Sequence, residues 1–187
     1  MDFYEVLKTR RSVRKFRQDP IPRETLEKIV DTARFCPSAA NLQPMRFMIV
    51  DDAARVKELQ KHVRWAAYLA PEGAPAENEQ PTAFVLVCVD KEVRPNGTTP
   101  DLGGAVQNIL LAAHYEGIGS CWMGNIDRED IRRITQLPER YHLDTVIALG
   151  YAGEAPVVVP VTDGIRYYKD ENGVLNVPKR DLADILL

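Results

Sequence analysis

The chain is poor in the side chains that usually carry chemistry by themselves. It has three histidines and three cysteines, and neither set falls in a spacing that a metal or nucleophilic site requires. His62, His114 and His142 stand in unlike surroundings without an HExxH pair, while Cys36, Cys88 and Cys121 form no CxxC and have no histidine at zinc-ligand spacing. No metal site is expected, and the cysteines read as reduced, mostly buried thiols. No GxSxG elbow marks a serine nucleophile. No run approaches the roughly 18 apolar residues of a membrane span, and Met1-Asp2-Phe3-Tyr4-Glu5 lacks the apolar core of a signal peptide, so the expected compartment is the cytoplasm. Asn96-Gly97-Thr98 fits a glycosylation acceptor but, without a secretory route, reads as a turn. An enzyme without an evident acid, base or metal remains plausible when a bound cofactor supplies the reactivity.

What is present fits one globular domain over residues 1–187. The 187 residues are 45% hydrophobic and 27% charged, ordinary values for a folded chain, and at this length about two-thirds of the unfolded surface is buried. With a formal net charge of -3, the molecule as a whole repels nucleic acid and acidic membrane surfaces. Lys8 to Arg17 is the local exception, with six basic residues and no acidic one. A basic patch in an acidic protein suggests a compact anionic ligand.

Along the chain, Asp2 and Glu5 form a capping box ahead of Phe3, Val6 and Leu7, so a short helix leads into the basic segment. A second helix opens at Pro22, carries Leu26, Ile29, Val30 and Ala33, and stops before Pro37. Phe47 to Val50 reads as a buried strand, Ala53 to about Tyr68 as a helix with Val56, Leu59 and Val63 inward, and 69–81 as a mobile loop or lid. Thr82 to Val89 is a central strand. Asp101 is placed as the cap of a helix ending at Gly117 that is apolar nearly all round, hence enclosed by core on one side and by a partner subunit on the other. Gly117 to Trp122 is a short strand, a small helix follows Asp127, and Thr145 to Gly150 is another strand. Ile165 to Tyr168 and Val174 to Val177 flank a turn at Asn172-Gly173, suggesting an inserted hairpin over 165–177. Strands interleave with helices without a repeating doubly wound unit. The expected class is α+β, a mixed sheet covered by helices on both faces.

Three segments could carry chemistry, and each also has a plainer reading. Arg10, Arg11 and Arg14 suit phosphate oxygens, and Ser12 adds a neutral donor, but charge runs are commonly solvated faces. The loop Pro37-Ser38-Ala39-Ala40-Asn41-Leu42-Gln43-Pro44 is stiffened by its prolines, and its amides offer the donor and acceptor that the edge of a heterocycle needs. Turn formation would explain Ser38 and Asn41 equally well. Gly117 to Gly124 is glycine-dense without being a GxGxxG fingerprint or a P-loop, so its glycines either let backbone approach a flat ring or form a helix C-cap and tight strand.

Taken in order, these pieces resemble the FMN-dependent nitroreductase family over nearly the whole chain. RRSxRxF is Arg10-Arg11-Ser12-Val13-Arg14-Lys15-Phe16, PSxxNxQPxxF runs from Pro37 through Asn41, Gln43 and Pro44 to Phe47, and GxGxxWxG is Gly117, Gly119, Trp122 and Gly124, followed by Leu149-Gly150-Tyr151. The resemblance implies an intertwined homodimer with FMN sites at the subunit interface. Arg10, Arg11 and Ser12 would hold the phosphate, and Arg14 would reach the ribityl or the pyrimidine end of the ring. Pro37, Ser38, Ala39 and Asn41 would come from the other subunit, with Gln43 bracing their loop. Backbone N–H groups of Met123 and Gly124 would face flavin N5, the atom that carries the chemistry, so no side chain is assigned a catalytic role. Lys179 and Arg180 match the basic residues that complete the phosphate site, although the 165–177 insertion precedes them and Asp181 replaces a common proline.

The activity implied is oxidation of NAD(P)H through bound FMN, with electrons passed in a ping-pong cycle to electron-poor acceptors such as nitroaromatics or quinones. Dehalogenation, ene reduction, azoline dehydrogenation and fragmentation of the flavin are other chemistries of the family. A non-catalytic flavin carrier is a different outcome. A nucleic-acid-binding module on the Lys8 to Arg17 face is disfavoured by the acidic remainder and the lack of interleaved aromatics.

Overall fold

The computed structural model describes residues 1–70, 72–95 and 100–187. The Asn96-Gly97-Thr98 turn therefore lies outside the described residues, as does Pro71 of the 69–81 loop. Four strands, β1 (Met45–Val50), β2 (Ala83–Asp90), β3 (Ile118–Met123) and β4 (Tyr141–Tyr151), form an antiparallel sheet in the order β1-β2-β4-β3. β2 is buried along its whole length because both of its faces are covered. Alternation sends Phe84, Leu86 and Cys88 to one face and Val85, Val87 and Val89 to the other. On the first face Val56 and Leu59 of α3 (Ala53–Leu59) and Ile131 of α5 (Arg128–Thr135) pack down. The second is covered by α2 (Arg23–Asp31) through Leu26 and Ile29, and by α4 (Pro100–Tyr115) through Val106 and Ile109.

The class is α+β with helices on both faces. A smaller sheet has β5 (Val157–Pro160) parallel to β7 (Leu175–Lys179) and β6 (Tyr168–Lys169) antiparallel to it. Gly173, at φ 75°, turns the chain between β6 and β7, and the Asp170 carboxylate accepts from Asn172 N, Val174 N and Asn176 Nδ2. In β4, Thr145 pairs with Val87 while Leu143 pairs with Cys88, leaving Asp144 as an extra residue. That bulge returns Leu143 to the face of Cys88; without it every side chain beyond would change sides.

Several local readings change. β1 is an edge strand, half-buried except at Val50, because only one of its neighbours is a strand. α3 ends at Leu59 and a short 3-10 turn covers Gln60–His62. Val63 then bridges to Ile126, and Arg64 N donates to Asn125 O at 3.0 Å, drawing the chain off the helix. Val56, Leu59 and Val63 are all buried, so the apolar spacing outlasts the helix. Asp101 lies inside the first turn of α4, and its carboxylate accepts from Ala39 N at 3.3 Å instead of capping the helix. Val157 to Pro160 forms a strand that the reading of the sequence did not assign, although its three consecutive valines favour extended backbone; its burial does not alternate cleanly. No helix among the described residues is long and apolar enough to cross a membrane.

Candidate functional site

The basic segment begins where α1 (Phe3–Thr9) ends. Asp2 and Glu5 do form a reciprocal capping box, and beyond Arg10 the chain lies against the ends of β3 and β4. Val13 N donates to Ser120 O at 2.9 Å, Arg17 N to Tyr151 O at 2.8 Å and Gly153 N to Lys15 O at 2.7 Å. Val13 and Phe16 turn into the core, which leaves Arg10, Arg11, Ser12 and Arg14 half-buried at its margin.

Two glycines make this docking possible. A Cβ on Gly119 would stand 3.0 Å from Val13 Cγ1, and one on Gly150 would stand 2.8 Å from Phe16 Cδ1. Both therefore admit side chains of the basic segment, and at Gly119 that side chain takes the place of the flat ring the glycine-dense segment suggested. Gly117, at φ 75°, closes the end of α4, while Gly124 faces open space. Gly150→Ala is expected to destabilise the protein by about 1–3 kcal/mol through overpacking. Urea denaturation checks this, and an unchanged midpoint would show that Phe16 has room to move.

Arg10 and Arg11 line a cavity of about 310 Å³ together with Thr9, His114, Gly119 and Ser120. Arg10 Nε, Arg11 Nε and Ser120 Oγ are buried there without a hydrogen-bond partner, an arrangement that is costly unless a ligand supplies acceptors. Burial lowers the pKa of both arginines, and the Arg10 charge adds to the effect at Arg11. Arg11 is partly committed elsewhere, since its Nη1 and Nη2 donate to the carbonyls of Arg10 and Lys8 at the end of α1. Thr9 donates its hydroxyl hydrogen to Glu5 O at 2.6 Å, so its contact with His114 Nε2 at 2.8 Å assigns the ring proton to Nε2. Burial first, then the charges of Arg10 and Arg11, push the His114 pKa down. Glu154 also lines the cavity, and its Oε1 accepts from Arg14 N at 2.6 Å. Ser12 is held by a backbone bridge to Ser120. Ser120 is thus the hydroxyl that the sequence reading missed, and a serine inside an apolar strand carries no signal that would have singled it out.

The 37–44 loop is held in an unusual shape. Ala40, Asn41 and Gln43 have φ of 51°, 54° and 49°, a left-handed backbone that is strained for residues other than glycine and collects at functional sites. Ser38 Oγ accepts from Gln43 N at 2.9 Å, and Asn41 N donates to Ser38 O at 2.9 Å. The far end is anchored to Asp90, which is wholly buried. Asp90 N donates to Pro44 O at 2.9 Å, and its carboxylate takes Arg140 at 2.8 and 2.6 Å and Arg46 at 3.2 Å. Hydrogen bonding from Arg140 holds the Asp90 carboxyl below the usual carboxylate range. Arg46 Nη1 in turn donates to Gln43 O at 2.9 Å.

Met123 is buried and Gly124 exposed at the end of β3, where they line a second cavity of about 530 Å³ with Arg14, Arg64, Trp65 and Trp122. The Arg14 guanidinium lies 5.0 Å over the Tyr167 ring. Within one chain the candidates accordingly fall in separate places: Arg10 and Arg11 in one cavity, Arg14, Met123 and Gly124 in the next along β3, and Pro37, Ser38 and Gln43 in a third hollow. Ala39 and Asn41 are exposed on the 37–44 loop, and Lys179 and Arg180 are exposed at the end of β7. The described part of the 69–81 loop has a 3-10 turn at Glu77–Glu79, and Glu79 binds Lys15 Nζ at 2.8 Å and Phe16 N at 2.8 Å. His62 Nδ1 lies 3.4 Å from Asp130, but Asp127 caps α5 and Asp130 pairs with Arg133.

Residues 7–151 match the profile of the nitroreductase family, and the chain belongs to that family. It is 36% identical over 162 residues, 83% of this chain and 80% of the relative, to a provisionally named NADH dehydrogenase/NAD(P)H nitroreductase of Methanothermobacter thermautotrophicus. It is 29% identical to the 5,6-dimethylbenzimidazole synthase of Rhodospirillum rubrum, over 78% of this chain and 79% of that one. Among solved structures, a provisionally named nitroreductase from Desulfovibrio desulfuricans in complex with FMN superposes with a TM-score of 0.71, at 25% identity, covering 98% of this chain and 94% of its own.

Proposed function

We propose that the protein is an FMN-dependent homodimeric oxidoreductase that takes electrons from NAD(P)H and delivers them to electron-poor acceptors such as nitroaromatics or quinones in a ping-pong cycle. The observation that carries this reading is the set of buried, unpartnered donors at Arg10, Arg11 and Ser120, which fits a phosphate group on a chain otherwise acidic. The names of the relatives and the FMN complex of a structural neighbour support the same cofactor and donor. The flavin, when bound, supplies hydride acceptance and electron delivery.

The chain supplies binding, orientation and access. Arg10, Arg11 and Ser12, with Ser120 beside them, bind the phosphate, and Lys179 and Arg180 add charge to it. Arg14 contacts the ribityl or pyrimidine end, where a fixed positive charge favours electron uptake. Backbone N–H groups of Met123 and Gly124, at the end of β3, would face flavin N5. Pro37, Ser38, Ala39 and Asn41 would reach the ring from a second copy of the chain, with Gln43 bracing the loop, since within one chain Pro37, Ser38 and Gln43 line a hollow apart from the arginines and Ala39 and Asn41 are exposed beside it. A second copy also accounts for the apolar face beside α4, where Phe3 and Tyr115 are 68% and 62% exposed next to Leu111 and Ala112. The 69–81 loop and the 165–177 hairpin serve as walls of the site. The test is the visible spectrum of the purified protein before and after NAD(P)H. Flavin bands that bleach anaerobically and return with an acceptor are expected; a colourless protein that also fails to take up added FMN overturns the reading.

A further inference from the structure

Resting on the flavin reading above, we infer that the acceptor side of the site is built for a planar substrate carrying an anionic group, an aromatic or quinonoid carboxylate. The cavity of about 530 Å³ at the end of β3, which the flavin would share through Arg14, Met123 and Gly124, is lined also by Arg64, Trp65 and Trp122 and, among the described residues, by no acidic one. Neither guanidinium makes an ion pair among the described residues. Arg14 leans on Tyr167 at 5.0 Å. Arg64 is held from behind, its Nη1 donating to Lys61 O at 3.1 Å and its backbone N to Asn125 O at 3.0 Å. The remaining guanidinium donors of Arg64 are left for a ligand.

The aromatic residues complete the selection. Trp122 is 43% exposed, yet its Nε1 donates to Thr145 Oγ1 at 2.9 Å, so the indole is fixed in orientation while much of its surface stays open. Trp65 packs on Phe16 at 6.4 Å between ring centroids, and its buried Nε1 has no acceptor. Beyond them Tyr68 and Tyr167 meet in a tilted arrangement with ring centroids 5.1 Å apart, and Arg166 lies 5.3 Å over Tyr68. Arg14 belongs to the flavin in the reading above, which leaves Arg64 as the cation free to read the acceptor. Rigid aromatic walls favour a flat ring, and a guanidinium with unused donors and no competing carboxylate favours a carboxylate bidentately.

The experiment titrates 4-nitrobenzoate and its neutral analogue 4-nitrobenzamide into the oxidised FMN-loaded protein, following flavin absorbance and tryptophan fluorescence. The acid is expected to bind about tenfold tighter. In Arg64→Met that preference disappears, with the amide affinity little changed, and in Arg64→Lys part of it returns. FMN content and thermal melting of each variant identify any that fails to fold, and the wild-type comparison of acid with amide stands without them. Equal affinities of the wild type for acid and amide overturn the inference while leaving the flavin reading intact. So does an Arg64→Met variant that keeps the preference and instead weakens NAD(P)H, which would assign the cation to the donor's phosphates. A protein that takes up no FMN overturns the flavin reading itself.

Discussion

Arg10→Met is expected to weaken FMN binding by about 10- to 100-fold, the loss that follows from removing one or more charge-assisted hydrogen bonds of roughly 1.5–3 kcal/mol. Arg10 is the cleaner of the two adjacent arginines to remove. Arg11 also donates to the Lys8 and Arg10 carbonyls, so its loss would loosen the end of α1 as well as the phosphate grip. Arg10 has no such carbonyl bond among the described residues, and its Nε, like that of Arg11, is buried without a partner. A half-buried cation without a partner disfavours the empty folded state, so the flavin-free variant should melt no lower than the flavin-free wild type. Quenching of FMN fluorescence measures the affinity. Wild-type affinity in Arg10→Met would remove the phosphate from this cavity. The same substitution takes away one of the charges that depress His114, so an NMR titration should show the His114 pKa moving up towards its ordinary value.

A mixing experiment has the largest expected contrast, between two inactive proteins and an active mixture. The arginines and the 37–44 loop line different hollows in one chain, so in a shared site each would belong to a different subunit. A variant with Arg10→Met and Arg11→Met damages one half of every site, and Ser38→Ala with Asn41→Ala damages the other. The second pair removes the hydroxyl that accepts from Gln43 N and places alanine at the left-handed φ of 54°, which alanine tolerates less well than asparagine. At limiting FMN each homodimer is expected to be nearly inactive. After subunit exchange, half the dimers are mixed, and each mixed dimer carries one doubly damaged site and one intact one. Activity should therefore return to about a quarter of the wild-type level for a two-fold symmetric dimer. Confirmed mixed dimers without activity would place the whole site within a single chain.

The sheet was legible where one physical signal dominated. Thr82 to Val89 is apolar from Ala83 onward and proves to be an inner strand with both faces covered; Asp127 announced α5 by capping it. Local spacing misled where tertiary contacts took over. Val63 keeps the helical rhythm of Val56 and Leu59, yet its backbone pairs with Ile126. Asp101 precedes an apolar helix like a cap, yet its carboxylate serves the Ala39 amide across the fold. Of the Gly117 to Gly124 glycines that invited a ring, Gly119 is met instead by Val13, a contact more than 100 residues apart in sequence that no local pattern encodes.

By itself the sequence determined the fold class, the family through three ordered motifs, and the candidate residues, because periodicity, capping and motif order are properties of the chain. It left the arginines ambiguous, since a basic run on a helix end is usually solvated. Tertiary structure decided that Arg10 and Arg11 have buried, unpartnered nitrogens, that Ser120 stands with them, and that Arg64 shares a cavity with two tryptophans and no carboxylate. Those are statements about desolvation and charge balance, which depend on what the rest of the chain brings alongside and excludes.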